Sequence, residues 1–248
     1  MKILFLGTSA GWPLPRLGCK CELCSSKDFK DIRTRTSILL NGTLLLDVGP
    51  DTYHHLVNID SKKIKYAAIT HEHPDHTSGL WDLGHIYNSK KITIIINPNT
   101  FKKIRNLFFP NEYKIVKIEK NETLKLNGLN LTLLPVKHTK DSSFGILIES
   151  RNKKIFYAPD FKSLPPLTKN KIKNANLLLI DGSELKIKTP THISIEEGIK
   201  LAKSLKAKKT YFVHLGHRTL PYKELSTHVQ SLGGKNFKLP YDGLEIEV

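Results

Sequence analysis

The stretch His71-Glu72-His73-Pro74-Asp75-His76 decides how this chain is read. Three imidazoles and a carboxylate, spaced H-x-H-x-D-H, supply the nitrogen and oxygen donors that Zn²⁺, Mn²⁺ or Fe²⁺ accept. Lys65–Thr70, just before it, has the apolar, β-branched texture of a strand, so the cluster is expected in the turn at that strand's end. In extended chain alternate side chains point the same way, so His71 and His73 can grip one ion. Pro74 kinks the chain, and beyond it Asp75 and His76 can turn to a second. With 11 His in 248 residues, three in six by chance is a poor explanation.

Three further donors lie in matching places. His138 follows the expected strand Leu129–Leu134, Asp160 follows Lys154–Tyr157, and His214 follows Thr210–Val213. In α/β and mixed sheets ligands gather at the carboxyl ends of strands. Each of these residues alone could be a capping Asp or a surface His; with the six-residue cluster they make a seven-donor site for two ions.

The rest of the chain supports a mixed architecture. Met1–Gly7 reads as a buried strand, and hairpins are expected around Asn41-Gly42, Asn127-Gly128 and Arg151-Asn152. Helices are expected through Trp81–Tyr87, near Thr100–Phe108, over Ile195–Leu205 and over Tyr222–Leu232. Further strands are expected at Ile92–Ile96, Asn176–Ile180 and Leu244–Val248. Hairpins, a helix pair, more hairpins and then helix-alternating strands suit two mixed sheets packed face to face with helices outside. Residues 1–248 are read as one such α/β (α+β) domain.

Composition bounds the partners. Lys+Arg 39 against Asp+Glu 23 gives a net charge of +16. Of these cations 33 are Lys, dispersed along the chain, and 6 are Arg. Nucleic-acid readers favour the planar fork of Arg, so the surplus reads as a solvated lysine coat, and a nucleic-acid partner is not favoured. No apolar run approaches the ~20 residues of a membrane span. The first apolar run ends after Leu6, too short for a secretion signal. A cytoplasmic protein with no membrane association is expected, with a homodimer left open.

Cys19, Cys21 and Cys24 are the only cysteines, spaced C-x-C-x₂-C. Three thiols cannot all pair as disulfides, but three thiolates and one nitrogen form a closed tetrahedral site suited to structural Zn²⁺. The nearest candidate for the nitrogen is His217. The alternative is a set of ordinary buried or redox-active thiols.

On these residues the chain resembles the metallo-β-lactamase superfamily, from Phe5-Leu6-Gly7-Thr8 through Leu46-Asp47-Val48-Gly49 to the last strand. The resemblance implies a four-layer αββα sandwich. It assigns His71, His73 and His138 to a first metal, and Asp75, His76 and His214 to a second, with Asp160 bridging. Asp47 is then the carboxylate that orients ligands. The di-iron electron-transfer branch has Glu where this chain has His73, which argues for hydrolysis.

With the cysteine cluster, His214-x₂-His217, Pro135-Val136-Lys137-His138, Phe144-Gly145 and Asp242-Gly243, the pattern is similar to the phosphoribosyl cyclic phosphate phosphodiesterases of the carbon–phosphorus lyase pathway. That similarity implies His217 as fourth ligand of an accessory zinc. It also implies His192, after Thr191, as the catalytic histidine, with Asp75 serving both as ligand and in catalysis. The expected cofactors are two catalytic divalent metals (Zn or Mn) and one structural Zn. The expected reaction is hydrolysis of a small phosphodiester. Two rival readings use the same donors: a tRNA 3′-end-processing endonuclease, for which no protruding arm is found, and a thioester or lactone hydrolase. A non-catalytic metal-binding protein fits less well, since a structural role needs no open dinuclear site. Arg33 and Arg35 could face a substrate phosphate or sit on a strand edge. His54, His55, His85 and His228 match no ligand position.

Overall fold

A computed structural model describes residues 1–86, 92–108 and 113–248. In its first half strand β1 spans Lys2–Gly7, helix α1 Glu22–Ser25, β2 Ser37–Leu40, β3 Leu44–Leu46, α2 Thr52–Leu56 and β4 Tyr66–Ala68. There follow α3 at Pro74–Thr77, α4 at Leu80–Leu83, β5 at Thr93–Ile96, α5 at Pro98–Ile104 and β6 at Lys114–Lys117. The second half holds β7 (Thr123–Leu126), β8 (Leu129–Pro135), β9 (Phe144–Ser150), β10 (Lys153–Ala158), α6 (Pro166–Ile172) and β11 (Leu177–Asp181). It closes with α7 (Ile195–Ser204), β12 (Thr210–Val213), α8 (Tyr222–Gly233), β13 (Phe237–Lys238) and β14 (Glu245–Glu247).

The strands form two seven-stranded mixed sheets, ordered β14-β1-β2-β3-β4-β5-β6 and β13-β12-β11-β10-β9-β8-β7. Local chemistry sets the hairpins. Asn41 and Gly42 take φ of 49° and 68°, and Asn127 and Gly128 take 40° and 85°. Such paired left-handed residues make a two-residue turn whose twist matches the strands it joins.

Alternation along the strands sorts side chains into layers. Ile3, Phe5, Leu44 and Leu46 of one sheet meet Leu131, Leu133, Ile146 and Tyr157 of the other in a core between the sheets. The outer face of the first sheet, with Leu45, Ile69 and Ile94, packs on Leu56, Leu80, Leu83 and Ile104 of its helices. On the second sheet Phe156, Leu178, Ile180 and Phe212 pack on Ile195, Ile199, Leu225 and Val229 of α7 and α8. The result is the expected αββα sandwich.

Direction decides where functional groups meet. β3 to β6 run parallel, and so do β10 to β13. β8 is antiparallel to β9, which is antiparallel to β10, so β8 points the same way as β10. The carboxyl ends of β8, β10, β11 and β12 therefore share one edge of the second sheet.

Several elements differ from expectation. The helix expected over Trp81–Tyr87 is the short α4, Leu80–Leu83, with Gly84 as its C-cap; Tyr87 lies outside the described residues. β6 escaped notice because Lys114 and Lys117 flank only two apolar residues, the charged pattern of an edge strand. α6 escaped notice because Leu167 is exposed and the segment carries no apolar stripe. Among the described residues, no helix is long and apolar enough to cross a membrane.

Candidate metal centre

The His71–His76 segment turns as its proline dictates. His73 is extended, with φ −60° and ψ 145°, and Pro74 opens α3, so Asp75 and His76 ride on its first turn. The turn is docked from below: the Val48 amide donates to the His76 carbonyl at 2.8 Å. Gly49 lies directly under it, and a Cβ there would collide with the Asp75 carbonyl.

Donor atoms of His71, His73, His138 and Asp160 all lie within 4.8 Å of one another, and so do those of Asp75, His76, Asp160 and His214. Asp160 belongs to both groups. It follows β10, His138 follows β8 and His214 follows β12, while His71 follows β4 of the facing sheet. The two sheets thus bring their carboxyl ends to a common centre.

Hydrogen bonds aim these donors. His76 Nδ1 lies 2.8 Å from Asp47 Oδ2, and His138 Nδ1 lies 3.0 Å from the Thr191 carbonyl. Each contact places a proton on Nδ1 and leaves the Nε2 lone pair free, the arrangement a metal ligand needs. His71 Nδ1 faces the Thr70 hydroxyl at 3.0 Å, which also directs its Nε2 inward. Asp47 is held in turn by the Thr70 amide at 2.8 Å and the Tyr157 hydroxyl at 2.9 Å. It adopts a left-handed φ of 60°, and His214 one of 57°; both conformations are uncommon outside glycine.

The inward atoms are short of partners. His71 Nε2, His76 Nε2, His214 Nδ1 and Asp160 Oδ1 are buried without a hydrogen bond. His214 Nδ1 and Asp160 Oδ1 approach to 2.8 Å, yet the angle is not that of a hydrogen bond. Leaving four buried polar atoms unpaired costs about 1–3 kcal/mol each. A cation accepting several lone pairs at once removes that cost, so the residues present fit a divalent metal pair. Burial, reinforced by His76, pushes the His71 ring down to about 4, so it stays neutral as a ligand must.

His192 sits at the front of α7, whose entry is a capping box: Ser194 Oγ accepts from the Glu197 amide, and Glu197 Oε2 accepts from the Ser194 amide. His192 Nδ1 lies 2.9 Å from Asp181 Oδ2. Burial opposes protonation of this ring, but the Asp181 bond and charge prevail and raise its pKa. Sequence reasoning missed Asp181, the last residue of β11 and fully buried. Its signal was that of Asp160 and His214, a polar residue ending an apolar strand. Its donor atoms also group with those of Asp160, His192 and His214 within 4.8 Å.

Cys19, Cys21, Cys24 and His217 form a separate group within 4.8 Å, with Cys19 Sγ 3.9 Å from His217 Nδ1. The three cysteines are free thiols. Three sulfurs and one imidazole at this spacing fit a tetrahedral zinc.

A cavity of about 630 Å³ opens over the centre, with His73, Asp75, Asp160, His192 and His214 in its lining. Arg35 lines it too, paired with Asp51 at 3.1 Å. Arg33 does not reach it: buried, it donates to Thr8 Oγ1 at 2.7 Å and to the Pro240 carbonyl at 2.8 Å. His54 faces Tyr53, His85 the Trp81 carbonyl and His228 Glu196, all away from the centre.

The family model described as the beta-lactamase superfamily domain matches residues 43–215. The chain is 26% identical over 263 residues to an octanoyltransferase of Porphyromonas gingivalis; the match takes in 99% of this chain but only 51% of that protein. It is 23% identical to coenzyme PQQ synthesis protein B of Methylorubrum extorquens, across the whole of both chains. Among solved structures, a diphosphatase of the PhnP family superposes with a TM-score of 0.87 at 28% identity, covering 100% of this chain and 97% of that one.

Proposed function

This chain belongs to the beta-lactamase superfamily, and from that premise we propose that it is a dinuclear-metal hydrolase of a small phosphodiester, such as a phosphoribosyl cyclic phosphate. The observation that carries this reading is the convergence of buried, unpartnered His71, His76, His214 and Asp160 atoms on one centre under an open cavity. The full-length similarity to a diphosphatase favours phosphoryl over carbonyl substrates.

His71, His73 and His138 would hold one cation, Asp75, His76 and His214 the other, with Asp160 shared. Bound there, the pair supplies a water nucleophile at neutral pH and neutralises phosphoryl charge. The protein's own part is orientation and proton transfer. Asp47 keeps His76 in one tautomer. Asp181 holds the Nδ1 proton of His192, so the protonated ring can give its Nε2 proton to the departing alkoxide. Asp75, on the cavity wall, would serve both as ligand and in catalysis. Cys19, Cys21, Cys24 and His217 would hold a structural zinc.

The test sets metal-loaded protein against 5-phosphoribosyl 1,2-cyclic phosphate, a thioester, a lactone and a tRNA precursor. Hydrolysis of the cyclic phosphate is expected, and cleavage of the carbonyl substrates or the RNA alone refutes the reading. His192→Ala should lower turnover of an alkyl phosphodiester by roughly 10²-fold with metal content unchanged. The same variant should act almost normally on a p-nitrophenyl ester, whose leaving group needs no proton.

A further inference from the structure

Arginine is scarce in this chain, 6 residues against 33 lysines. Three of the six, Arg16, Arg35 and Arg218, nevertheless line the cavity over the candidate metal centre, and among the described residues no lysine does. The adjoining cavity beside His138 carries lysines instead, Lys120, Lys137, Lys140 and Lys162. Arginine carries the planar five-donor fork that can bind phosphate in register.

The three are not equivalent. Arg35 is matched by Asp51, and Arg218 by the buried Glu184. Both are therefore substantially neutralised and act as framework. Arg16 has no acidic partner within ion-pair distance among the described residues. Its guanidinium lies 5.3 Å over the Trp12 ring, and its Nη1 is 3.1 Å from His217 Nε2. The indole face holds the cation without discharging it. Trp12 is itself 63% exposed, a large apolar ring left at the cavity mouth.

The loop carrying both residues is anchored. The Arg16 amide donates to Cys24 Sγ at 3.4 Å, and the Cys19 amide donates to the Arg16 carbonyl at 3.0 Å. The arginine thus stands on the cysteine cluster on one side and faces the catalytic cavity on the other.

We infer that Arg16, held over Trp12, is an anion subsite that takes a second phosphate of the substrate, away from the bond that is broken. What this adds to the proposed substrate is the residue that would hold its distal phosphate. This rests on the phosphodiesterase reading for the identity of the reacting group, but not for the subsite itself. Arg16 acts on binding: it touches the substrate's distal anion and takes no part in proton transfer.

A matched pair of substrates tests it. 5-Phosphoribosyl 1,2-cyclic phosphate and ribose 1,2-cyclic phosphate share the scissile group and differ only in the distal phosphate. Arg16→Ala should raise KM for the first about tenfold more than for the second, the loss of one charge-assisted contact. Arg16→Lys should recover part of the difference. Equal effects on both substrates, or none on either, overturn the proposal. A second measurement does not depend on turnover. In metal-loaded Trp81→Phe protein, Trp12 is the remaining tryptophan, and its fluorescence should respond saturably to glycerol 3-phosphate but not to glycerol. Adding Arg16→Ala should weaken that response at least about tenfold; unchanged affinity places the phosphate elsewhere and sinks the subsite. If neither cyclic ester is hydrolysed while the Arg16-dependent binding persists, the catalytic reading fails and the anion site stands.

Discussion

At the scale of single residues, the site is governed by which nitrogen of each imidazole carries the proton. Asp47, Thr70 and the Thr191 carbonyl settle this for His76, His71 and His138. Asp181 does the same for His192 with a different result, for there the partner holds a proton rather than freeing a lone pair. Removing that carboxylate should therefore act on pH dependence before it acts on metals. In Asp181→Asn the pKa of His192 falls, so the acid form disappears at lower pH. The alkaline limb of the kcat profile on an alkyl phosphodiester should move down, and turnover at pH 8 should drop by about 10- to 100-fold. A limb that stays in place counts against His192 as the proton donor. The donors His71, His73, Asp75 and His76 were legible in the sequence because they are contiguous and their spacing has a chemical reason. Asp181 was not, because one aspartate at a strand end looks the same whether it caps a turn or orients a catalytic ring.

At the scale of elements, two features do most of the positioning. The first is the shared direction of β8, β10, β11 and β12, which puts His138, Asp160, Asp181 and His214 on one edge. The second is the loop from Trp12 to Ser25, a segment with little regular structure beyond the four residues of α1. Backbone pairing of Leu14 with Arg33 pins the start of this loop, and a metal held by the cysteine cluster and His217 would tie its far end. Cys21→Ser should remove one zinc equivalent per chain by elemental analysis while the two metals at the catalytic donors remain. It should also expose the loop to protease at Arg16 or Lys20. Unchanged zinc content would show that the thiols hold no ion. Among elements, the hairpins at Asn41-Gly42 and Asn127-Gly128 were readable because the turn is encoded in two adjacent residues. The edge strand β6 and the helix α6 were not: their boundaries are set by docking onto a sheet, and neither has an apolar period of its own.

At the scale of the whole molecule, stability comes from the apolar layers between and around the sheets, and polar groups buried among them make it depend on pH. His55 is a measurable case outside the centre. It is buried on α2 with Nε2 2.8 Å from the Thr34 hydroxyl, and burial pushes its pKa from 6.5 down to about 4. The unfolded chain therefore takes up this proton first as pH falls. The stability it contributes is whole above pH 6.5 and is lost between 6.5 and about 4, a change of about 3 kcal/mol. Thermal melts across that window should fall more steeply for the wild type than for His55→Gln; parallel curves would mean that the ring titrates alike in the folded and the unfolded chain. Part of the molecule was determined by the sequence alone: the sandwich class, the two-residue hairpins and the donors of the His71–His76 turn. These depend on local spacing and alternation, which act over a few residues. Tertiary structure decided the rest: that Asp181 reaches His192, and that three scarce arginines meet over one cavity. Those facts bring together residues up to 202 positions apart in the 248-residue chain, from Arg16 to Arg218. Only the packing of two sheets, each requiring the other to bury its apolar face, can set such distances.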